Sequence, residues 1–240
     1  MLRADLIPEV YQIQHDRREL RELTRGRLRM VQWRGKLQST LWGQAIKYNV
    51  QITGSQWRYI GKLQKWLLPQ LPPTASLQAQ LILEQISQLQ THIHRLEEEI
   101  DQQVPFEETA ERLMAVPGLG KVGAWTIMAE IGDIHRFPSA KSRMLGISYC
   151  RLAGGAKDSG GSHRHKSGNK DGNPEFSGRA AFGQAVVSGY THYKVVKKFY
   201  KKIKRRNGRP VARAVVGKEL AKGVWYMLTR SEEYKGFKSR

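Results

Sequence analysis

Residues 154–173 read GGAKDSGGSHRHKSGNKDGN, with one serine, Ser159, between Asp158 and a Gly-Gly pair, followed within a few residues by His163 and His165. Four Lys or Arg lie in the same stretch. Glycine at this density does not build a core. The segment is either a disordered linker or a loop that brings a serine against something negatively charged. A serine hydroxyl is a weak nucleophile at its free pKa and needs a base or a metal to activate it. His163 and His165 are spaced too tightly for a helical metal pair, and Cys150 is the single cysteine, so zinc is rejected. With no second cysteine there is no intramolecular disulfide, and Cys150 reads as a small buried hydrophobe in a reducing compartment.

Two further patterns could bind phosphate. VPGLGKVGA (116–124) has the form of a helix-hairpin-helix turn, PGxGxxxA, between a helix carrying Leu113 and Met114 and one carrying Trp125, Ile127, Met128 and Ile131. Gly118 and Gly120 allow backbone conformations that a side chain forbids. The amides that open the second helix, around Lys121 and Gly123, would then face a phosphate with the helix dipole behind them. An ordinary tight turn between packed helices is the competing reading. The second pattern is HYKVVKKFYKKIKRRNGRP (192–210). Here Lys194, Lys197, Lys198, Lys201, Lys204, Arg205, Arg206 and Arg209 are interleaved with Tyr193, Val196, Phe199, Tyr200 and Ile203. Helical spacing buries the apolar set and gathers the cations into a ridge that attracts nucleic-acid backbone without regard to sequence.

Composition agrees with a polyanionic partner. The 240 residues carry a net charge of +20. Residues 1–110 hold 14 Lys/Arg against 12 Asp/Glu, whereas 111–240 hold 27 against 9, so the binding surface is expected in the C-terminal half. Nucleic acid is favoured over membrane, because no apolar run is long enough to span a bilayer and no strongly amphipathic surface helix stands out. Without a secretory signal the expected location is cytoplasmic, associated with the nucleoid.

The elements that must hold these groups read as mainly α. Residues 14–48 form one long basic helix, with Leu20, Leu23, Met30, Leu37 and Leu41 on a stripe whose gaps are filled by Arg27 and Arg34. LLPQLPPTAS (67–76) is a helix stop and linker. Ile82, Ile86, Leu89, Ile93, Leu96 and Ile100 then repeat every 3.5 residues, a coiled-coil seam used within the chain or between chains, with His92 and His94 beside it. Residues 180–200 are helical with a break near Ser188–Gly189. Residues 211–234 form a last helix burying Val215, Leu220, Val224, Trp225 and Leu228, with Tyr226 also in the core. The expected domains are a helical N-terminal segment (1–66), a linker and coiled coil (67–109), and an α-helical C-terminal domain (110–240) with the glycine hairpin and the Gly-rich loop.

ERLMAVPGLGKVGAWTIMAEIGDIHRFPSAK, SYCRL, KDSGG, KSGNKDGN, HYKVVKKFYKKIKRRNGRP and KELAKGVWYML occur in an order that resembles the C-terminal domain of DEDD-type insertion-sequence transposases, the group that includes the Piv-type DNA invertases. MLRADLIPEVYQ and the RRELRELTRGRLRMV helix resemble the end of that family's N-terminal catalytic region. The resemblance implies DNA transposition and recombination by multimers directed by an element-encoded guide RNA. It also implies a RuvC-like domain, of RNase H fold, whose four acidic residues bind magnesium. The family's serine nucleophile maps onto Ser159, just after the Y-x-x-L stretch Tyr149–Leu152. Gly160 and Gly161 would then let backbone approach the scissile phosphate, and Lys157, Arg164 and Lys166 would clamp it.

The chain is expected to lack most of the RuvC-like domain. Asp5 and Glu9 fall after the last of the metal positions, and 97–99 is a solvated acidic face, so no metal ligand or bound cofactor is expected in this chain. Homo-oligomerisation is expected through the coiled coil. The alternative reading is a catalytically inactive nucleic-acid-binding remnant.

Overall fold

The computed structural model describes residues 15–103, 108–136, 178–234 and 236. Among them there are seven α-helices and no strand: α1 His15–Lys47, α2 Ile60–Leu67, α3 Pro73–Gln103, α4 Glu108–Met114, α5 Lys121–Ile131, α6 Gly178–His192 and α7 Lys194–Arg230. The mainly α class read from periodicity is what forms. The chain divides into two compact units, one of residues 25–102 and one of residues 1–24 with 103–240.

In the 25–102 unit, α1 and α3 run antiparallel. Arg27 meets Glu97, Arg34 Nη1 donates to Gln90, and Gln44 Nε2 reaches the Ala75 carbonyl and Gln78. The seam residues Ile86, Ile93 and Ile100 are buried and Ile82, Leu89 and Leu96 half-buried. Their partner comes from within the chain. The two arginines that interrupt the apolar stripe of α1 lie over the pairing helix: Arg27 Nε is 2.7 Å from Glu97 Oε1. The tip closes over Leu41, Ala45, Val50, Ile52, Leu63, Leu67 and Leu71, on which Ala75, Ala79 and Leu83 of α3 also pack. The prolines act as expected of residues without an amide donor, with one shift in place. The stop covers only 68–72, and Pro73 opens α3, where the missing N–H costs nothing. They turn the chain inside this unit.

The other unit is built around α5. Every residue from Ala124 to Ile131 is buried, Glu130 included. The start of α1 caps the C-terminus of α5: Arg21 donates to the Ala129 and Glu130 carbonyls at 3.2 and 3.0 Å, and Arg17 to the Gly132 carbonyl at 3.2 Å. Arg21 Nε also lies 3.5 Å from the Glu130 carboxylate. Guanidinium groups at a helix C-terminus satisfy its last carbonyls and oppose its dipole. α6 packs on α5 and α7, and α4 on α5.

Two expectations differ here, while the last helix is set off from the ridge as expected. α6 is unbroken through Ser188–Gly189 and ends at His192, because Gly189 serves close packing rather than a break. α7 is two helical stretches joined at Gly208, which is non-helical (φ 80°, ψ 174°) and followed by Pro210. Tyr226 is exposed and stands edge-on to Trp225 at 5.0 Å between centroids. The buried face of the second stretch is instead Ala212, Val216, Leu220, Val224 and Met227, with Val215, Trp225 and Leu228 half-buried.

Candidate nucleic-acid interface

Gly118 and Gly120 play different parts in the hairpin. Gly118 sits at φ +82°, and a Cβ there would collide with the Ala185 carbonyl oxygen and lie 2.5 Å from the Gly189 nitrogen. The loop is therefore pressed onto the backbone of α6. Gly189 returns the approach, since a Cβ on it would lie 3.3 Å from both the Pro117 oxygen and the Val196 side chain of α7. Gly120 faces open space, is extended (φ −88°, ψ 177°), and is the N-cap of α5 with no side chain to cap it. The first helical bond runs from the Ala124 amide to the Gly120 carbonyl, so the amides of Lys121, Val122 and Gly123 precede it. Gly123 lets the buried Leu119 fold back, its absent Cβ being 2.8 Å from Leu119 Cδ1. Lys121 Nζ stands 5.0 Å from the centre of the Trp125 ring one turn on, a cation–π contact.

The loop thus touches α6 beside Val196, within the first turn of the basic ridge. Along that ridge the burial pattern changes abruptly. Val196 and Tyr200 are buried, and Tyr200 stacks on Tyr190 at 4.5 Å. From Lys201 to Val211 only Ile203 is even half-buried. Lys194, Lys197, Lys198, Lys201, Lys204, Arg205, Arg206 and Arg209 are all exposed, and the sequence holds no Asp or Glu between Glu175 and Glu219. At 100° per residue the helical cations from Lys194 to Arg206 cover an arc of roughly 200°, opposite Val196, Tyr200 and Ile203. Tyr193, read from the sequence as an apolar member of this face, is instead the exposed N-cap of α7.

Sequence reasoning missed Gly189 as the residue that seats the hairpin. The signal was available in the small residues Ala185 and Gly189, four apart on one helical face. Ser159, Lys157, Gly160, Gly161, Arg164, Lys166, His163, His165 and Cys150 lie outside the described residues. Among the described residues no group of three His, Cys, Asp or Glu side chains could hold a metal ion. The magnesium chemistry implied by the resemblance therefore has no ligand set among them. No helix among the described residues is long and apolar enough to cross a membrane.

Residues 110–201, from α4 through the hairpin and α6 to the first turns of the ridge, match the model of the transposase family described as IS116/IS110/IS902. Over these residues, somewhat more than a third of its length, the chain is similar to that transposase family. The transposase for insertion sequence element IS1111A of Coxiella burnetii (strain RSA 493 / Nine Mile phase I) is 27% identical to it over 149 residues. That alignment covers 58% of this chain and 38% of the Coxiella protein, so the chain is matched to well under half of its relative's length.

Proposed function

We propose that this chain belongs to an insertion-sequence transposase and that it grips DNA backbone through two elements linked by α6, the amides opening α5 and the cationic ridge of α7. The observation that carries the reading is the seating of Pro117–Gly118 on Ala185–Gly189 beside Val196. It presses the loop before the α5 N-terminus onto the backbone of α6, and Gly189 of α6 in turn lies against the Val196 side chain of the helix bearing the ridge. Amides at a helix N-terminus and a ridge of Lys and Arg offer complementary phosphate contacts, one directional and the other long-ranged. An RNA partner, also implied by the resemblance, presents the same backbone chemistry and belongs to this reading.

Ser159 is the proposed nucleophile for strand exchange. Its Oγ attacks the scissile phosphorus, the bond from phosphorus to the leaving strand's oxygen breaks, and the serine proton ends on that oxygen. The resulting phosphoseryl ester keeps the bond energy, and a second strand's hydroxyl releases the serine in the rejoining step. Lys157, Arg164 and Lys166 would balance the charge that builds on the phosphate oxygens.

The test is duplex affinity against salt, with covalent capture run alongside. Changing Lys197, Lys198, Lys201 and Arg205 to Gln should flatten the dependence of log affinity on log salt, by about 0.9 for each phosphate that is no longer neutralised. An unchanged slope would remove the ridge from the reading. In a mixture with a full-length relative and its element DNA, Ser159→Ala should abolish the protein–DNA adduct of this chain. Persistence of the adduct would reassign the nucleophile.

A further inference from the structure

Residues 23–83 hold nine Lys or Arg and no Asp or Glu, although they lie in the half of the chain whose charges nearly cancel. The compensating acids are confined to Asp5–Glu22 and Glu84–Glu108. The same stretch leaves large aromatic rings in solvent: Trp33 is 51% exposed and Tyr59 62%, with Trp42, Tyr48 and Trp66 also exposed. Lys62 Nζ sits 5.0 Å from the centre of the Tyr59 ring.

One of these rings lines a concave site. Trp33, Lys36 and Leu37 of α1 face Gln85, Gln88, Leu89 and His92 of α3 across an open groove of about 420 Å³. Leu37 and Leu89 are half-buried, and no carboxylate lines the groove. Gln85, Gln88 and His92 fall at successive turns of one side of α3.

We propose that this groove on the 25–102 unit is a second nucleic-acid site, specific for unpaired strands, in which a base stacks on Trp33. A flat indole over an aliphatic floor accepts the face of a base, the amides of Gln85 and Gln88 suit its polar edge, and Lys36 suits the flanking phosphate. Aromatic platforms beside cations bind single strands without strict sequence preference. In a duplex that face is already covered by its neighbours in the stack, so the groove selects unpaired strands. Charge argues against a second copy as occupant. The unit carries ten Lys/Arg against five Asp/Glu, so two such units repel where a polyanion is attracted.

This inference is independent of the proposed role of α7, and the experiment keeps the two apart. The full chain is titrated against labelled single-stranded 20-mers of thymidine and of uridine and against a 20-bp duplex. Trp33→Ala should weaken single-strand binding about tenfold, in line with the loss of one stacked base. Duplex affinity should stay within about twofold, because the long-range backbone attraction is untouched. Trp33→Tyr should restore most of the binding, and a 5-iodouridine strand should photocross-link to the peptide containing Trp33. Equal affinity for the two sugars, or preference for one, both support the site and say which strand it takes.

An equal drop for single strand and duplex in Trp33→Ala would overturn the proposal. So would unchanged single-strand affinity with a drop in sedimenting mass, which would make the groove an interface between copies. The α7 variant with Lys197, Lys198 and Lys201 changed to Gln should lose duplex affinity and keep the Trp33-dependent difference. If it keeps its duplex affinity, the reading of α7 fails while the groove stands.

Discussion

α5 and the middle of α7 lie in one unit of the chain and are opposites. Eight consecutive residues of α5 are buried, whereas across 201–211 of α7 only Ile203 is even half covered. Both are helical, so burial is not what makes the second one a helix; Lys and Arg have good intrinsic propensity and Gly208 and Pro210 mark where it stops. The difference separates two kinds of residue. Those in and around α5 are held by the fold and support it. The cations of α7 have little surface of the protein against them, and on the proposed reading their contribution lies in what they attract.

That contrast can be broken most directly at the hairpin. Gly118→Ala adds a Cβ against Ala185 and Gly189 backbone and forces a positive φ on a side chain. It should cost about 3 kcal/mol or more in chemical denaturation. A cost under about 1 kcal/mol, the size of the φ penalty alone, would mean that the loop is not seated on α6. Glu130→Ala comes next. It leaves Arg21 without the carboxylate of a fully buried partner and should cost about 3 kcal/mol. On the other side of the comparison, the four-residue Gln variant of α7 should leave stability within about 0.5 kcal/mol while flattening the salt dependence of duplex binding. If it unfolded the protein, the ridge would have to be structural.

How much of this contrast was legible in the sequence follows from how local each signal is. The long helix 15–47, the seam of α3 and the apolar run of α5 announce themselves by spacing, because each depends only on neighbours within the element. The partners of Arg27 and Arg34 did not, because Glu97 and Gln90 come into reach only when α1 and α3 pair antiparallel across some 60 residues. Gly189 was misread as a break because a glycine that admits a neighbouring backbone and one that ends a helix look alike until the neighbour is known. Tyr193 and Tyr226 fit an apolar period but occupy its margins, where an aromatic ring can stay wet. The groove at Trp33 was hidden for the same reason as the arginine pairs, since its walls come from two helices distant in sequence. The segment carrying Ser159 was read from residue types and family resemblance, with no periodicity to add.

Two smaller effects sharpen the comparison. Gly208→Ala makes only an ordinary contact, its Cβ 3.9 Å from Pro210, but φ 80° with ψ 174° is a backbone region that side chains avoid, so about 2 kcal/mol is expected by denaturation. A cost as large as that at Gly118 would show hidden packing at the kink. Near the end of α7, Tyr234 lies against Gly223, and burial, followed by the charge of Glu219, pushes its phenol up to about 12 from 10.0. A raised acid pKa gives stability that is whole below pH 10 and is lost as the pH climbs towards 12. The alkaline fall in thermal midpoint should therefore be shallower in Tyr234→Phe between those values; an identical fall would mean that the phenol ionises freely in the folded chain.

The break at Gly208 has a consequence for how such a protein can change over time. Residues 201–207 sit on one side of it with almost nothing packed against them, and the core-forming residues from Ala212 onward sit on the other. Substitutions in the arm should be nearly silent for folding, so whatever they change lies in what the arm meets. If α7 grips nucleic acid as proposed, that grip can be retuned by single codon changes, without first acquiring a compensating change in the core.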